Sequence, residues 1–172
     1  MRAVAVIEPN RVEIVEVGRP EPGPYQALVR TEVAFLCNAT DGKLVAGHFP
    51  GVKDYPLILG HESAGVVEAV GEKVRQFRVG DRAIGGLVFQ FDDPKYHSGW
   101  GGFCEYTLCN DHDAMVEDGV ADAAHGWLEC YEIQRPVDAD IPPEAAGLLC
   151  TWREVYGGLG DFGLSPGDDV LV

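Results

Sequence analysis

Three places in this 172-residue sequence carry side chains of the kind that bind metal ions. Cys37 is followed by Asp41 one helical turn later. His61 and Glu62 stand side by side after a glycine, and Cys150 lies in a stretch that reads as helical. Thiolate, imidazole and carboxylate are the donors zinc prefers. Each signal alone is small. An isolated cysteine is more often a buried apolar residue than a ligand, and Cys150 sits among Leu148, Leu149 and Trp152, where packing is the default reading. Cys104 and Cys109 share one alternating stretch, and no Cys-x-x-Cys pair occurs, so a closed four-cysteine zinc site is not expected. His48, His97, His112 and His125 read as solvated loop residues. The sequence has no Gly-x-Ser-x-Gly elbow and no Walker loop, and no complete Gly-x-Gly-x-x-Gly loop is expected in it.

Positioning such donors falls to short strands and turns. Residues 1–17 read as a hairpin around Pro9-Asn10, with Val4, Val6 and Ile7 on one arm and Val12, Ile14, Val15 and Val17 on the other. From Gln26 to Ala34 the alternation of Ala27, Val29, Thr31 and Val33 with Arg30 and Glu32 predicts a half-buried strand. A short helix is expected over Cys37–Val45 and a loop over Gly47–Tyr55. Strands follow between Gly60 and Gly71, at Arg82–Ile84 and over Phe103–Cys109. Gly85–Gly102 reads as a long loop, and the acidic, alanine-rich stretch Glu117–Glu129 as a short helix or a surface loop. Pro142-Pro143-Glu144 starts a helix that runs to about Leu159, since proline suits the first turn and a carboxylate complements the positive helix end. Ser165–Asp169 is a turn, and Val170 opens an apolar strand on which the sequence stops, as if cut.

Twenty-two glycines and eleven prolines agree with a turn-rich, mainly β chain. The length suits about one domain. A formal charge of −15 argues against nucleic acid or an anionic membrane as partner. Five cysteines in no disulfide-type spacing point to reduced thiols and a cytoplasmic location. The first residues do not read as a signal peptide, and no run approaches the ~18 apolar residues of a membrane span.

In combination these pieces resemble a known family. Pro56-Leu-Ile-Leu-Gly-His-Glu-Ser-Ala-Gly-Val-Val67, then Val70-Gly71, Val79-Gly-Asp-Arg82 and Gly101-Gly-Phe-Cys-Glu-Tyr106 are similar, in order and spacing, to the N-terminal GroES-like domain of medium-chain, zinc-dependent alcohol dehydrogenases. Pro143-Glu-Ala-Ala146, Cys150 and Ser165–Val172 resemble that family's hinge helix and the first strand of its dinucleotide-binding domain. The resemblance covers almost the whole chain.

It implies a partly open GroES-like β-barrel with a few short helices and a C-terminal hinge helix. Residues 1–141 would form the catalytic domain, and 142–172 the hinge helix and first strand of a dinucleotide-binding domain whose glycine-rich loop should follow Val172. Cys37, His61 and Cys150 match the zinc ligands, with Glu62 the neighbouring glutamate that can take a ligand position. Asp41 matches the carboxylate that holds the ligand histidine, and Thr40 the hydroxyl that passes the substrate proton outward. Glu154 falls where the family meets the nicotinamide.

The implied activity is oxidation of a small-molecule alcohol to a carbonyl, or the reverse, with NAD or NADP in a full-length enzyme. One catalytic zinc and no structural zinc are expected, because the cysteine-rich lobe is absent from Gly85–Gly102. The chain alone is expected to be inactive and not to bind a dinucleotide, and oligomers are expected only of the full-length protein. A zinc-free quinone or enoyl reductase domain and a non-catalytic GroES-like module are the alternatives. The sequence departs from the family at Cys37-Asn-Ala-Thr-Asp41, which carries one extra residue, at Thr151-Trp-Arg-Glu154, which is bulkier and more acidic, and at the insertion Glu117–Glu129.

Overall fold

The structure, a computed structural model, describes residues 1–170. It opens with the expected hairpin. Strand β1 (Arg2–Glu8) pairs antiparallel with β2 (Arg11–Glu16). Asn10 takes the left-handed conformation at the turn, with φ of 67°, which asparagine tolerates better than most residues. β1 buries Ala3, Ala5 and Val6, whereas β2 is a largely exposed edge whose Arg11, Glu13 and Glu16 discourage further strand pairing.

The longest strand, β3 (Gln26–Phe35), is the centre of the second sheet. Ala27, Leu28 and Val29 are buried, and Arg30 and Glu32 reach solvent, as the alternation predicts. β5 (Glu62–Val70) and β8 (Tyr106–Asn110) flank β3, and β6 (Arg82–Ile84) and β9 (Pro136–Val137) extend the sheet in the order β8-β3-β5-β6-β9. The first sheet has the order β2-β1-β4-β7, with β4 at Leu57–Ile58 and β7 at His97–Ser98, and the β4–β7 pair is parallel.

The two sheets are stitched together by residues 103–105. Val4 N–H donates to the Phe103 carbonyl, Glu105 N–H to the Arg2 carbonyl, and Thr31 N–H to the Glu105 carbonyl. The result is the expected mainly β, partly open barrel. It explains why β8 begins at Tyr106 rather than at Phe103: the three preceding residues spend their backbone groups on the seam.

Helix α1 (Thr40–Val45) follows β3, and α3 (Pro143–Asp161) is the last helix among the described residues. Pro142 is extended and Pro143 stands in the first turn, where a missing N–H costs nothing. Ala146 and Cys150, one turn apart, face the five-stranded sheet and pack with Ala64 and Ile84. Gly147 permits this approach. A Cβ there would lie 2.7 Å from the Phe35 ring. After Cys150 the helix leaves the sheet, and Trp152, Val155, Tyr156, Leu159 and Phe162 are exposed.

Several expectations change. Gly85–Gly102 is not one open loop: it contains β7, and Leu87 and Val88 are buried, with Leu87 exchanging backbone hydrogen bonds with Leu108. Glu117–Glu129 is neither a single helix nor a plain loop. A helix not foreseen, α2 (His112–Glu117), precedes it, capped by the Asp111 carboxylate accepting from Ala114 N–H, and single 3-10 turns stand at Ala123–His125 and Glu129–Ile133.

His112 is therefore no solvated loop residue: its Nδ1 accepts from the Trp127 indole N–H at 3.0 Å. His97 lies in β7, although exposed. The chain also holds a Gly-x-Gly-x-x-Gly spacing, Gly158 to Gly163, but at the C-terminal end of α3, where the Gly158 and Gly160 carbonyls accept the capping N–H groups of Phe162 and Gly163. A phosphate cradle needs N–H groups at a helix N-terminus, so this spacing is not one. Val170 is exposed and in no strand, and the rest of the expected terminal strand lies outside the described residues.

Candidate metal centre

Cys37 and Asp41 are held together by the turn that ends β3. Asp41 N–H donates to the Cys37 carbonyl, and Cys37 N–H donates back to Asp41 Oδ2, both at 2.9 Å. Asp41 is fully buried. Burial works against the Cys37 thiolate, but the backbone N–H and hydroxyl of Thr40, together with His61, outweigh it and lower the thiol below its ordinary pKa.

His61 is delivered from the other side by Gly60. With φ of +99°, Gly60 adopts a conformation open mainly to glycine, and a Cβ there would collide with the ring of Phe103. Its carbonyl accepts from Gly102 N–H at 2.6 Å, which locks the turn. His61 Nδ1 then faces Asp41 Oδ1 at 3.6 Å and Nε2 faces Glu62 Oε1 at 3.8 Å. Burial pulls the imidazole down, but Asp41 and Cys37 beside it prevail and push it up to about 9.

Cys37, His61 and Glu62 thus form one group, with a donor atom from each lying within 4.8 Å of the others. Its chemistry fits a zinc-type ion: one thiol biased toward thiolate, one imidazole, one carboxylate. Two buried polar atoms point the same way. Asp41 Oδ1 and His61 Nδ1 have no hydrogen-bond partner, since 3.6 Å is too long for one.

Of the other residues singled out in the sequence, Thr40 opens α1 beside Cys37. Cys150 is buried at 3% exposure in the apolar cluster beneath α3 and is not a member of the three-residue group. Burial pushes its thiol up to about 11. Glu154 is exposed on α3 beside Arg153.

Two further residues complete the surroundings. Thr151 Oγ donates to Glu62 Oε1 at 2.6 Å. Trp100, in the left-handed conformation with φ of 74°, sets its ring 5.6 Å from both the His61 and the Phe49 rings. That backbone conformation is rare for a bulky residue and marks a place where surrounding structure over-determines the chain. A cavity of about 680 Å³ lies elsewhere; Arg19, Gln90, Asp92 and Asn110 help line it, and none of the three donors does.

Residues 23–118 match the alcohol dehydrogenase GroES-like domain family. The chain is 32% identical over 160 residues to alcohol dehydrogenase 1 of Emericella nidulans, covering 89% of this chain and 43% of that protein. It is 37% identical over 183 residues to an acryloyl-coenzyme A reductase of Sulfurisphaera tokodaii, covering 100% of this chain and 51% of that protein. It therefore spans about half the length of these curated relatives. The solved structure of a short chain alcohol dehydrogenase from E. coli CFT073, complexed with cofactor NADH, superposes with a TM-score of 0.69 at 21% identity, over 98% of this chain and 47% of that one, which bears on the fold. The family match takes in more than half the chain and includes Cys37, Asp41, His61 and Glu62; the chain belongs to the alcohol dehydrogenase GroES-like domain family.

Proposed function

We propose that this chain is the metal- and substrate-binding part of an oxidoreductase that interconverts a small-molecule alcohol and a carbonyl. The carrying observation is the convergence of Cys37, His61 and Glu62 within 4.8 Å, in a chain of alcohol dehydrogenase type. Zinc held by these residues would supply a Lewis acid that polarises the substrate oxygen. Asp41 faces the Nδ1 edge of His61, which leaves the Nε2 edge toward Glu62. Trp100, edge-on to Phe49, sets an aromatic wall beside His61 against which a substrate can rest. Thr40 is assigned the passage of the substrate proton. Hydride exchange belongs to a nicotinamide cofactor, a part of the reading supported by the NADH in the E. coli fold neighbour. Calorimetric titration of the metal-free chain with zinc tests the metal reading. One site per chain is expected, and no uptake would refute it.

A second reading, reduction of an activated carbon–carbon double bond without zinc, is favoured by the relationship to the acryloyl-coenzyme A reductase. The same titration separates the two.

A further inference from the structure

The hydroxyl of Thr151 reaches across 89 residues of sequence to Glu62. It is the one hydrogen bond between α3 and the donor group among the described residues. The oxygen it meets, Oε1, is the same one that faces His61 Nε2. The helix that carries it is seated firmly: Ala146 is fully buried, Cys150 is nearly so, and Gly147 lies against Phe35, which pairs with Glu62 across β3 and β5. Thr151 is therefore a fixed donor on a docked element, not a mobile surface group.

We propose that Thr151 is a positioning residue that holds the Glu62 carboxylate in place as a metal donor. The inference rests on the metal reading above. A free glutamate side chain has three rotatable bonds to order, whereas one already clamped by a hydroxyl has surrendered that freedom before the ion arrives. The hydroxyl donates only to a carboxylate oxygen that still has a lone pair for an ion, so clamping and ligation are compatible. Clamping also couples α3 to the donor group: the helix that packs on β3 and β5 through Ala146 and Cys150 feels whether Glu62 is in place.

The test is titration of the metal-free 172-residue chain with Co²⁺, whose visible d–d bands report the number and type of donors. Thr151→Val keeps the shape and removes the hydroxyl, and Thr151→Ser keeps the hydroxyl. The expected result is cobalt affinity weakened about 10- to 100-fold in Thr151→Val, with altered d–d bands, and both restored in Thr151→Ser. Metal-free melting temperatures should stay equal, which separates positioning from folding. Equal affinity and spectra in Thr151→Val and the parent chain would overturn the inference while leaving the metal reading intact. Loss in Thr151→Ser as great as in Thr151→Val would overturn it as well. No cobalt uptake by the parent chain would refute the metal reading itself, and this inference with it.

Discussion

The Asp41 carboxylate and the His61 imidazole face one another across 3.6 Å, the first wholly buried and the second partly exposed. Their mutual attraction sets the protonation of the metal-free site. Because His61 is pushed up to about 9 in the fold, its proton stabilises the folded chain fully below the ordinary histidine value of 6.5 and ceases to do so as pH rises through about 9. Asp41→Asn should bring the His61 pKa down from about 9 toward 6.5. An NMR titration of the imidazole in the metal-free chain checks this, and the pH-dependent part of its stability should fade with it.

Substituting Gly60 tests how the histidine is delivered. Gly60→Ala forces a side chain into a φ of +99° and against Phe103. A cost of about 3 kcal/mol in urea unfolding is expected, combining backbone strain with overpacking. Because Gly60 also aims His61, metal uptake should fall in variants that remain folded.

Cysteine replacements separate the two thiols. Cys37→Ser should abolish the thiolate-to-cobalt charge-transfer band in the near ultraviolet, because Cys37 belongs to the donor group. Cys150→Ala should leave that band in place and lower stability modestly, by about 1 kcal/mol, since Cys150 packs with Ala64, Ile84 and Ala146. Loss of the band in Cys150→Ala would show that α3 shifts to bring this thiol onto the ion.

Away from the site, Asp111 is a buried polar anchor. Its fully buried carboxylate accepts from the backbone N–H groups of Ala114, Arg75 and Gln76. Asp111→Ala leaves three donors without an acceptor and removes a helix cap. A loss of about 3–4 kcal/mol in chemical denaturation is expected.

The elements read most directly from the sequence are those whose physics is local. The alternation of β3 and the Pro142-Pro143-Glu144 start of α3 each express a rule that acts over a few residues, and both elements are found where expected. Of the donor group, His61 and Glu62 were legible as neighbours and Cys37 as one candidate thiol among five; that Cys37 meets them was implied only by the family resemblance. Thr151 and Trp100 were not legible as parts of the site. The Thr151 bond spans 89 residues, and a tryptophan gives no sign in its own side chain that its backbone will be left-handed. Helix α2 was hidden because His112-Asp113 has no apolar period; the cap at Asp111 was its one local signal.

The seam at residues 103–105 has a consequence for how the molecule opens. Phe103 and Glu105 bond to β1 and to β3, so the hairpin sheet cannot part from the five-stranded sheet without breaking both sets of bonds. The barrel should therefore behave as one cooperative foldon, with the amides of Val4, Thr31 and Glu105 exchanging with deuterium only through global unfolding. The end of α3 beyond Cys150, whose side chains stand in solvent, should exchange far sooner. Isotope exchange would then draw the boundary of the cooperative unit through α3 itself, between the turn that holds Glu62 and the turns that follow.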